Sequence, residues 1–170
     1  YLYAMISALS LALTSFSGQN IGAGNYVRAK QGKQISMWIA SGITVFMSLV
    51  LCIFAEPCCR IFTTDTDAIA YGALQLRHQL PLYIIFSWNE IINGAVLSSG
   101  HTVVPMVVSL TGMCAARVGF IFLVSYFIPD IRVIYIAFPF SWIVTHIGIN
   151  WYYYRGKWAG GMRFAEAVMA

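Results

Sequence analysis

The sequence predicts an all-α, polytopic membrane protein, a helix bundle with about five transmembrane helices. Of its 170 residues, 59% are hydrophobic and only 9% are charged, whereas a soluble domain carries about 25% charged residues. Long apolar runs alternate with polar connections, and none shows the alternation over about ten residues that marks a β-barrel strand. A chain this apolar has too little polar surface to fold in water, so its natural solvent is lipid.

Five apolar runs approach the roughly 20 residues that a bilayer span needs. They are residues 1–16, 35–55, 79–98, 104–127 and 133–154. Backbone groups in lipid must be satisfied within their own segment, so each run predicts a helix. The connections are 17–34, 56–78 (with a short amphipathic helix), 99–103 and 128–132. Because the chain opens at Tyr1 inside an apolar run, we expect a fragment whose upstream part is missing.

Cations are more frequent on one side of the predicted spans. The side that holds 17–34 and the segment after the last span has six cations: Arg28, Lys30, Lys33, Arg155, Lys157 and Arg163. The other side has three: Arg60, Arg77 and Arg132. The excess predicts that 17–34 and the C-terminus are cytoplasmic. No single basic face forms, which argues against nucleic-acid binding. The four cysteines have no metal-site spacing and are interpreted as small apolar residues.

The stretch SGQNIGAGNYVRAK, residues 17–30, could be a phosphate-binding loop or a tight turn. A phosphate loop needs a preceding strand and usually a Lys followed by Ser or Thr at the helix start. Neither is present here. The glycines therefore predict a chain reversal or a close helix contact.

Three segments carry a resemblance to the multidrug and toxic compound extrusion (MATE) transporters. GQNIGAGNYVRAK resembles the signature after the second helix of each half, with the motif residues Gly18, Gln19, Asn20, Gly22, Gly24 and Arg28. YIIFSWNEIINGAVLSSGHTVVPMVVSLTGMCAARVGFIF resembles the tenth and eleventh helices, and IYIAFPFSWIVTHI the start of the twelfth. Leu97 and Ser98 stand where many relatives have Arg and Gly, which leaves the contacts of that turn open.

The resemblance implies that residues 1–158 form a partial C-terminal lobe, helices eight to twelve, and that 159–170 form a cytoplasmic tail. It implies a secondary active antiporter of the cell membrane that exports cationic or amphiphilic small molecules by alternating access. The exchanged ion is a proton or a sodium ion, and no other cofactor is expected. The implied partners are the lipid bilayer, the substrate and the missing N-terminal lobe.

Glu90 is the one carboxylate deep in a predicted span, which makes it a functional candidate. Helical spacing puts Ser87, Glu90, Asn93 and Gly94 on one face, with Asn89 beside it. Burial disfavours the charged form of a carboxyl group, which would suit proton exchange near neutral pH. We therefore predict a role for this face in ion coupling or in lining the cavity.

Arg117 offers a competing interpretation of Glu90. It lies mid-span in the next helix, within reach of Glu90, so the two could form a structural ion pair. The chain would then be a structural membrane subunit, and Arg117 is kept as a site candidate under both interpretations. An enzyme needs clustered His, Asp or Glu, and the acidic residues here are scattered. His146 and Asn150, spaced i, i+4, predict an interhelical hydrogen bond more readily than a cavity wall.

Overall fold

The structure, a computed structural model, describes residues 1–128 and 132–155, and every regular element in these ranges is helical. The elements are α1 (Leu2–Gly22), α2 (Tyr26–Ile53), α3 (Ala55–Arg60), α4 (Thr66–Gln79), a 3-10 turn (Leu80–Leu82), α5 (Tyr83–Leu97), α6 (Val103–Ser109), a π-helical segment (Leu110–Ala116), α7 (Arg117–Phe127) and α8 (Arg132–Tyr154). The all-α prediction is confirmed.

Four helical stretches in the described ranges are long and apolar enough to cross a bilayer, by length and composition. They are Tyr26–Ile53, Thr66–Leu97, Val103–Phe127 and Val133–Tyr154. They correspond to four of the five predicted spans. The fifth, α1, has 21 residues, enough for a span, but Gln19 and Asn20 lie inside it and lower its hydropathy. It is therefore not among the four.

The stretch 17–34, predicted as a connection, is almost entirely helical. α1 continues to Gly22 and α2 begins at Tyr26, so the reversal occupies only residues 23–25. Gly24 has φ 77° there, a left-handed conformation that glycine adopts without a Cβ clash. The prediction was wrong because a drop in hydropathy marks where the chain leaves lipid and does not mark where the helix ends. Polar and long cationic side chains can continue a helix beyond that boundary while their charged ends reach water.

The connection 56–78 contains two helices, where the sequence predicted one. α3 is short, and α4 is capped by Asp65, whose side chain accepts a hydrogen bond from the Asp67 N–H at 3.0 Å. α4 then runs through the 3-10 turn at Pro81 into α5, so the helical stretch Thr66–Leu97 begins well before residue 79. Arg77 and Glu56 join α4 to α3 through an exposed ion pair of 3.3 Å.

The long helices alternate in direction. The reversal at 23–25, the turn after α5 and the end of α8 therefore lie on the same side of the bundle. A Cβ on Gly18 of α1 would lie 3.3 Å from the carbonyl oxygen of Ser98, at the end of α5. Lys33 Nζ of α2 lies 4.6 Å from the ring centroid of Tyr153, at the end of α8. The ends of α1, α5 and α8 and the start of α2 therefore lie at the same end of the bundle. The predicted turn residues 129–131, the cations Lys157 and Arg163, and the tail 159–170 lie outside the described residues.

Helix α5 occupies the centre of the described bundle and packs against α1, α2 and α8. Nine of its 15 residues are buried. The contact with α1 is close because Gly94 has no side chain, and Ser10 and Thr14 of α1 lie against it. Thr14 Oγ1 donates to the Gly94 carbonyl at 3.1 Å. The centre of the bundle is thus the helix that carries the predicted polar face.

Helix α7 and the π segment pack mainly against α8. Gly112 of the π segment lies directly on Thr145 of α8, where a Cβ would overlap the threonine side chain. None of the residues of α7 is buried. Pro139 lies inside α8, and the helix continues through it. This pairing of the last two spans decides where Arg117 can reach.

Candidate functional site

The predicted polar face of α5 is present, but its members have different surroundings. Ser87 and Asn89 are fully buried, Asn93 is 9% exposed, and Glu90 is half-buried. The Ser87 hydroxyl donates to the Ile84 carbonyl of its own helix at 2.8 Å. Ser87 therefore satisfies its donor locally.

Glu90 is fixed in position by its backbone. The Ser10 hydroxyl of α1 donates to the Glu90 carbonyl oxygen at 2.7 Å. The Glu90 carboxyl group makes no hydrogen bond and no ion pair with any other described side chain, and Arg77–Glu56 is the one ion pair within the described residues. A half-buried carboxyl group without a protein partner can accept a proton or a small cation.

Asn93, one turn after Glu90, supplies a second oxygen without a partner. Its Oδ1 is buried and accepts no hydrogen bond from the described residues. A buried acceptor without a donor is costly, and such groups commonly mark a site for water or an ion. Carboxylate and amide oxygens are suitable ligands for hard cations. Glu90 and Asn93 are thus the two residues of this face with free oxygen ligands.

Asn89 is used differently, as a link between α5 and α8. Its Nδ2 donates to the Trp142 carbonyl oxygen at 2.9 Å, and its Oδ1 lies 2.7 Å from His146 Nδ1. Asn150 Nδ2 lies 3.0 Å from His146 Nε2 and donates to the His146 carbonyl oxygen at 2.9 Å. The interhelical hydrogen bond predicted for His146 and Asn150 is confirmed for His146. Its partner could not be predicted, because spacing within one helix does not reveal which neighbour it faces.

Arg117 does not pair with Glu90. Its Nε and Nη2 donate to the Ser141 hydroxyl at 3.1 and 2.8 Å, and its guanidinium lies 4.2 Å from the Phe138 ring centroid. The predicted ion pair is wrong because α7 packs on α8, where the Ser141 hydroxyl accepts from the guanidinium, whereas α5 packs on α1, α2 and α8. The structural-subunit interpretation, which depended on this pair, loses its basis.

The motif residues near the 23–25 reversal have structural surroundings. Asn20 Nδ2 donates to the Phe16 carbonyl at 2.7 Å, and the Asn25 N–H donates to the Asn20 carbonyl at 2.8 Å. Arg28 lies 5.7 Å from the Phe16 ring centroid. Gln19 and Gly22 are exposed. The arrangement closes a helix reversal, as expected, and offers no loop that could enclose a phosphate.

Leu97 and Ser98, which stand where many MATE transporters have Arg and Gly, lie at the end of α5. Ser98 terminates α5, and its hydroxyl donates to the Ala95 carbonyl at 2.6 Å. Its carbonyl oxygen is the group that faces Gly18 across the α1–α5 contact. Leu97 is exposed. The turn is therefore closed by a serine cap in this chain.

Known proteins match this chain along much of its length. A probable multidrug resistance protein, YoeA of Bacillus subtilis, is 24% identical over 147 residues, which cover 86% of this chain and 32% of that protein. YpnP of the same organism, also a probable multidrug resistance protein, is 24% identical over 159 residues, 94% of this chain and 36% of that protein. NorM of Thermotoga maritima, another, is 29% identical over 125 residues, 70% of this chain and 26% of that protein.

The chain thus spans about a third or less of the curated relatives that it matches. No solved structure matches it. The family profile described as MatE matches residues 1–129, which is more than half of the chain. With a helical bundle whose long helices are apolar enough for a bilayer and with relatives of this kind, the chain belongs to the MatE family.

Proposed function

We propose that the chain is part of a secondary active antiporter that exports cationic or amphiphilic small molecules in exchange for protons or sodium ions. Membership of the MatE family and three relatives named as probable multidrug resistance proteins support an efflux role. The chain contributes one wall of a cavity that opens to one side of the membrane at a time. The other wall belongs to an N-terminal lobe, because alternating access requires two bundles that move against each other.

The observation that carries this proposal is the Glu90 carboxyl group, half-buried in the central helix and free of any described protein partner. Charged groups at this depth are expensive and are typical of ion pathways. Asn93 places a second oxygen one turn away, and this oxygen has no partner in the described part of the chain. In the proposed cycle, Glu90 holds the coupling ion and Asn93 assists, and the substrate and the ion exchange at the same wall.

Aromatic side chains near Glu90 support binding of an organic cation. Tyr83 lies two turns before Glu90 on the same face, half-buried, with its ring 5.3 Å from that of Trp142 in an edge-on contact. Ring faces attract cations by about 0.5–2 kcal/mol. Phe86 and Trp142 are buried at 6% and 3% exposure and are therefore packing residues. Tyr83 is the aromatic side chain of this group that a substrate can reach.

The proposed location is the plasma membrane, with the end of α8 in the cytoplasm. Four described cations lie near that end of the bundle and three near the other: Arg28, Lys30, Lys33 and Arg155 against Arg60, Arg77 and Arg132, the first residue of α8. Cytoplasmic ends of membrane helices carry the excess of Lys and Arg. The same sign of charge also suits contact with anionic lipids of the inner leaflet.

The test is efflux by Glu90→Gln in the complete reading frame that contains this chain, expressed at normal abundance. The variant keeps the shape of the side chain and removes its ability to exchange a proton or bind a cation strongly. We expect gradient-driven efflux of ethidium, an organic cation, to fall to the background of empty membranes. Glu56→Gln is the matched control, because Glu56 is exposed at the bundle end. Coupled efflux by Glu90→Gln equal to that of Glu56→Gln contradicts the proposal.

The two coupling ions are separated in vesicles with one gradient at a time. A proton gradient in sodium-free buffer drives transport only if protons are the coupling ion, and a sodium gradient at equal pH only if sodium is. The 170-residue chain alone is expected to give neither response, because it supplies one wall of the cavity. Gradient-driven uptake by the chain alone contradicts the two-lobe architecture.

A further inference from the structure

The hydrogen-bond chain Asn89–His146–Asn150 has a fixed direction. Asn89 Nδ2 faces the Trp142 carbonyl at 2.9 Å, so turning this amide over would bring two oxygens together. Asn89 Oδ1 must therefore face His146 Nδ1, at 2.7 Å. An oxygen of this kind only accepts, so Nδ1 carries the imidazole proton.

The other imidazole nitrogen is fixed by the same reasoning. Asn150 Nδ2 donates to the His146 carbonyl at 2.9 Å, so the NH₂ group of this amide points toward the histidine. Its second hydrogen faces Nε2 at 3.0 Å. Nε2 therefore accepts, and the ring is neutral in this structure with its proton on Nδ1.

In this geometry, His146 cannot take up a second proton unless the hydrogen bonds of Asn150 change. A proton on Nε2 would face the NH₂ group of Asn150, donor against donor. Asn150 can offer its oxygen to the new N–H only by turning over, and it then loses its bond to the His146 carbonyl as well. We propose that Asn89, His146 and Asn150 form a proton-binding site in which uptake of one proton at Nε2 releases Asn150 from both of its hydrogen bonds.

The site is accessible and is separate from the proposed coupling carboxyl group. Nδ1 faces Asn89, which is fully buried, whereas Nε2 faces Asn150, which is half-buried like His146 itself, so Nε2 is on the less buried side of the ring. Trp88 covers one side of the ring, with the centroids 6.0 Å apart, and is held by Ser41 through a bond of 2.9 Å. A proton can thus enter at Nε2 without opening the helix contact.

Ionisable groups on the elements packed against α8 do not bond to the imidazole in the described residues. At this depth they are Tyr83 and Glu90 on α5, Cys114 in the π segment and Arg117 at the start of α7. Those of α4 are Asp67, Tyr71, Arg77 and His78, toward the other end of the bundle. Arg117 is directed to Ser141. The imidazole therefore responds chiefly to the two amides that contact it.

The proposed site also bears on the coupling residue. Asn89 is the chain neighbour of Glu90, and its two bonds tie that turn of α5 to Trp142 and His146 of α8. A charge on His146 changes the contact between these helices at the level of Glu90. The proton site itself does not depend on antiport being the function, because its readout is the imidazole.

The test is nitrogen NMR of the 170-residue chain in lipid vesicles, with ¹⁵N-labelled histidine and asparagine. The chain has three histidines, and the variants His78→Gln and His101→Gln together leave His146 alone. Both replaced residues are exposed, His78 in the last turn of α4 and His101 in a turn. We expect a neutral ring at alkaline pH with its proton on Nδ1 and a bare Nε2. On acidification Nε2 gains a proton, and the side-chain amide signal of Asn150 shifts over the same pH range.

Three results overturn the proposal. The first is a neutral ring with its proton on Nε2, and the second is a ring that takes up no second proton on acidification. The third is protonation of Nε2 with an unchanged Asn150 amide signal. All are measured with Asn89 and Asn150 unchanged, so they do not depend on the folding of a variant of the hydrogen-bond chain.

A matched pair of variants tests the role of Asn150 directly. Asn150→Asp replaces the amide donor by a carboxylate acceptor, and we expect both ring nitrogens to be protonated at a pH where the unmodified ring is neutral. Asn20→Asp is the control, because Asn20 also donates to the carbonyl four residues earlier but lies far from His146. We expect its histidine signals to match the unmodified chain. A neutral ring in Asn150→Asp at that pH contradicts the proposal.

Discussion

Replacing Gly94 by alanine is the sharpest test of how α5 is held against α1. An added Cβ would lie 2.6 Å from the Ser10 hydroxyl oxygen, 2.8 Å from the Ser10 carbonyl oxygen and 3.1 Å from the Thr14 hydroxyl oxygen. The hydroxyl groups can rotate away, but the carbonyl belongs to the α1 backbone. The whole helix must therefore move outward to admit one methyl group.

The expected cost follows from three contributions. Overpacking a close contact costs about 1–3 kcal/mol. Loss of the Ser10 bond to the Glu90 carbonyl adds about 1 kcal/mol, and the higher helix propensity of alanine returns about 1 kcal/mol. The net expected loss in the free energy of unfolding is about 1–3 kcal/mol, the size of the overpacking contribution alone.

The measurement is reversible unfolding of the chain in mixed micelles with increasing SDS, followed by tryptophan fluorescence. Gly119→Ala is the matched control, since Gly119 also lies in a membrane-spanning helix and has no atom within 4 Å of its Cβ position. We expect this control to be as stable as the unmodified chain or slightly more stable. If Gly94→Ala is as stable as Gly119→Ala, the close α1–α5 contact is not present in solution.

Three further outcomes are expected. Gly24→Ala places a Cβ on a residue with φ 77° and is expected to lower stability by about 1 kcal/mol. Gly22 is helical, so Gly22→Ala is the control and is expected not to lower stability. Equal SDS midpoints for the two variants contradict the reversal at 23–25. Ser141→Ala removes the acceptor of both Arg117 bonds and lowers stability by about 1.5–3 kcal/mol, which an unchanged SDS midpoint would contradict. Cys59, half-buried in α3 at the end of the bundle opposite the end of α8, is expected to react with a membrane-impermeant maleimide added to intact cells. Reaction of Cys59 only after the membrane is permeabilised contradicts the orientation.

The sequence predicts well which segments enter lipid, but it predicts poorly which helices contact each other. Glu90 stands out because a carboxylate in an apolar run is rare, and its carboxyl group has no partner among residues 1–128 and 132–155. The alternative in which Arg117 pairs with Glu90 depended only on the depth of the two residues along their helices. Depth says nothing of rotation or neighbours, and Ser141 of α8 is the actual acceptor. The Asn89–His146 bond was missed for the same reason.

Helix ends were also poorly predicted. Hydropathy placed the end of the first helix at residue 16 and the start of the second at 35, whereas the helices continue to Gly22 and from Tyr26. Gln19, Asn20 and Lys30 are polar but remain helical, since their backbone bonds stay within the helix. The glycines of residues 17–30 were the local signal for a reversal, and Gly24 lies at it with φ 77°, whereas Gly22 is still helical.

The seven-residue π segment Leu110–Ala116 affects the direction in which the residues after it point. Hydrogen bonds from each residue to the fifth before it accommodate more residues per turn than an α-helix does. Seven residues bonded in this way turn through about the same angle as six α-helical residues at roughly 100° each, so the segment takes up one extra residue without rotating the helix that follows. Arg117 keeps its direction toward Ser141 for this reason. The same seven residues in α-helical form would turn Arg117 by about 100°, away from Ser141.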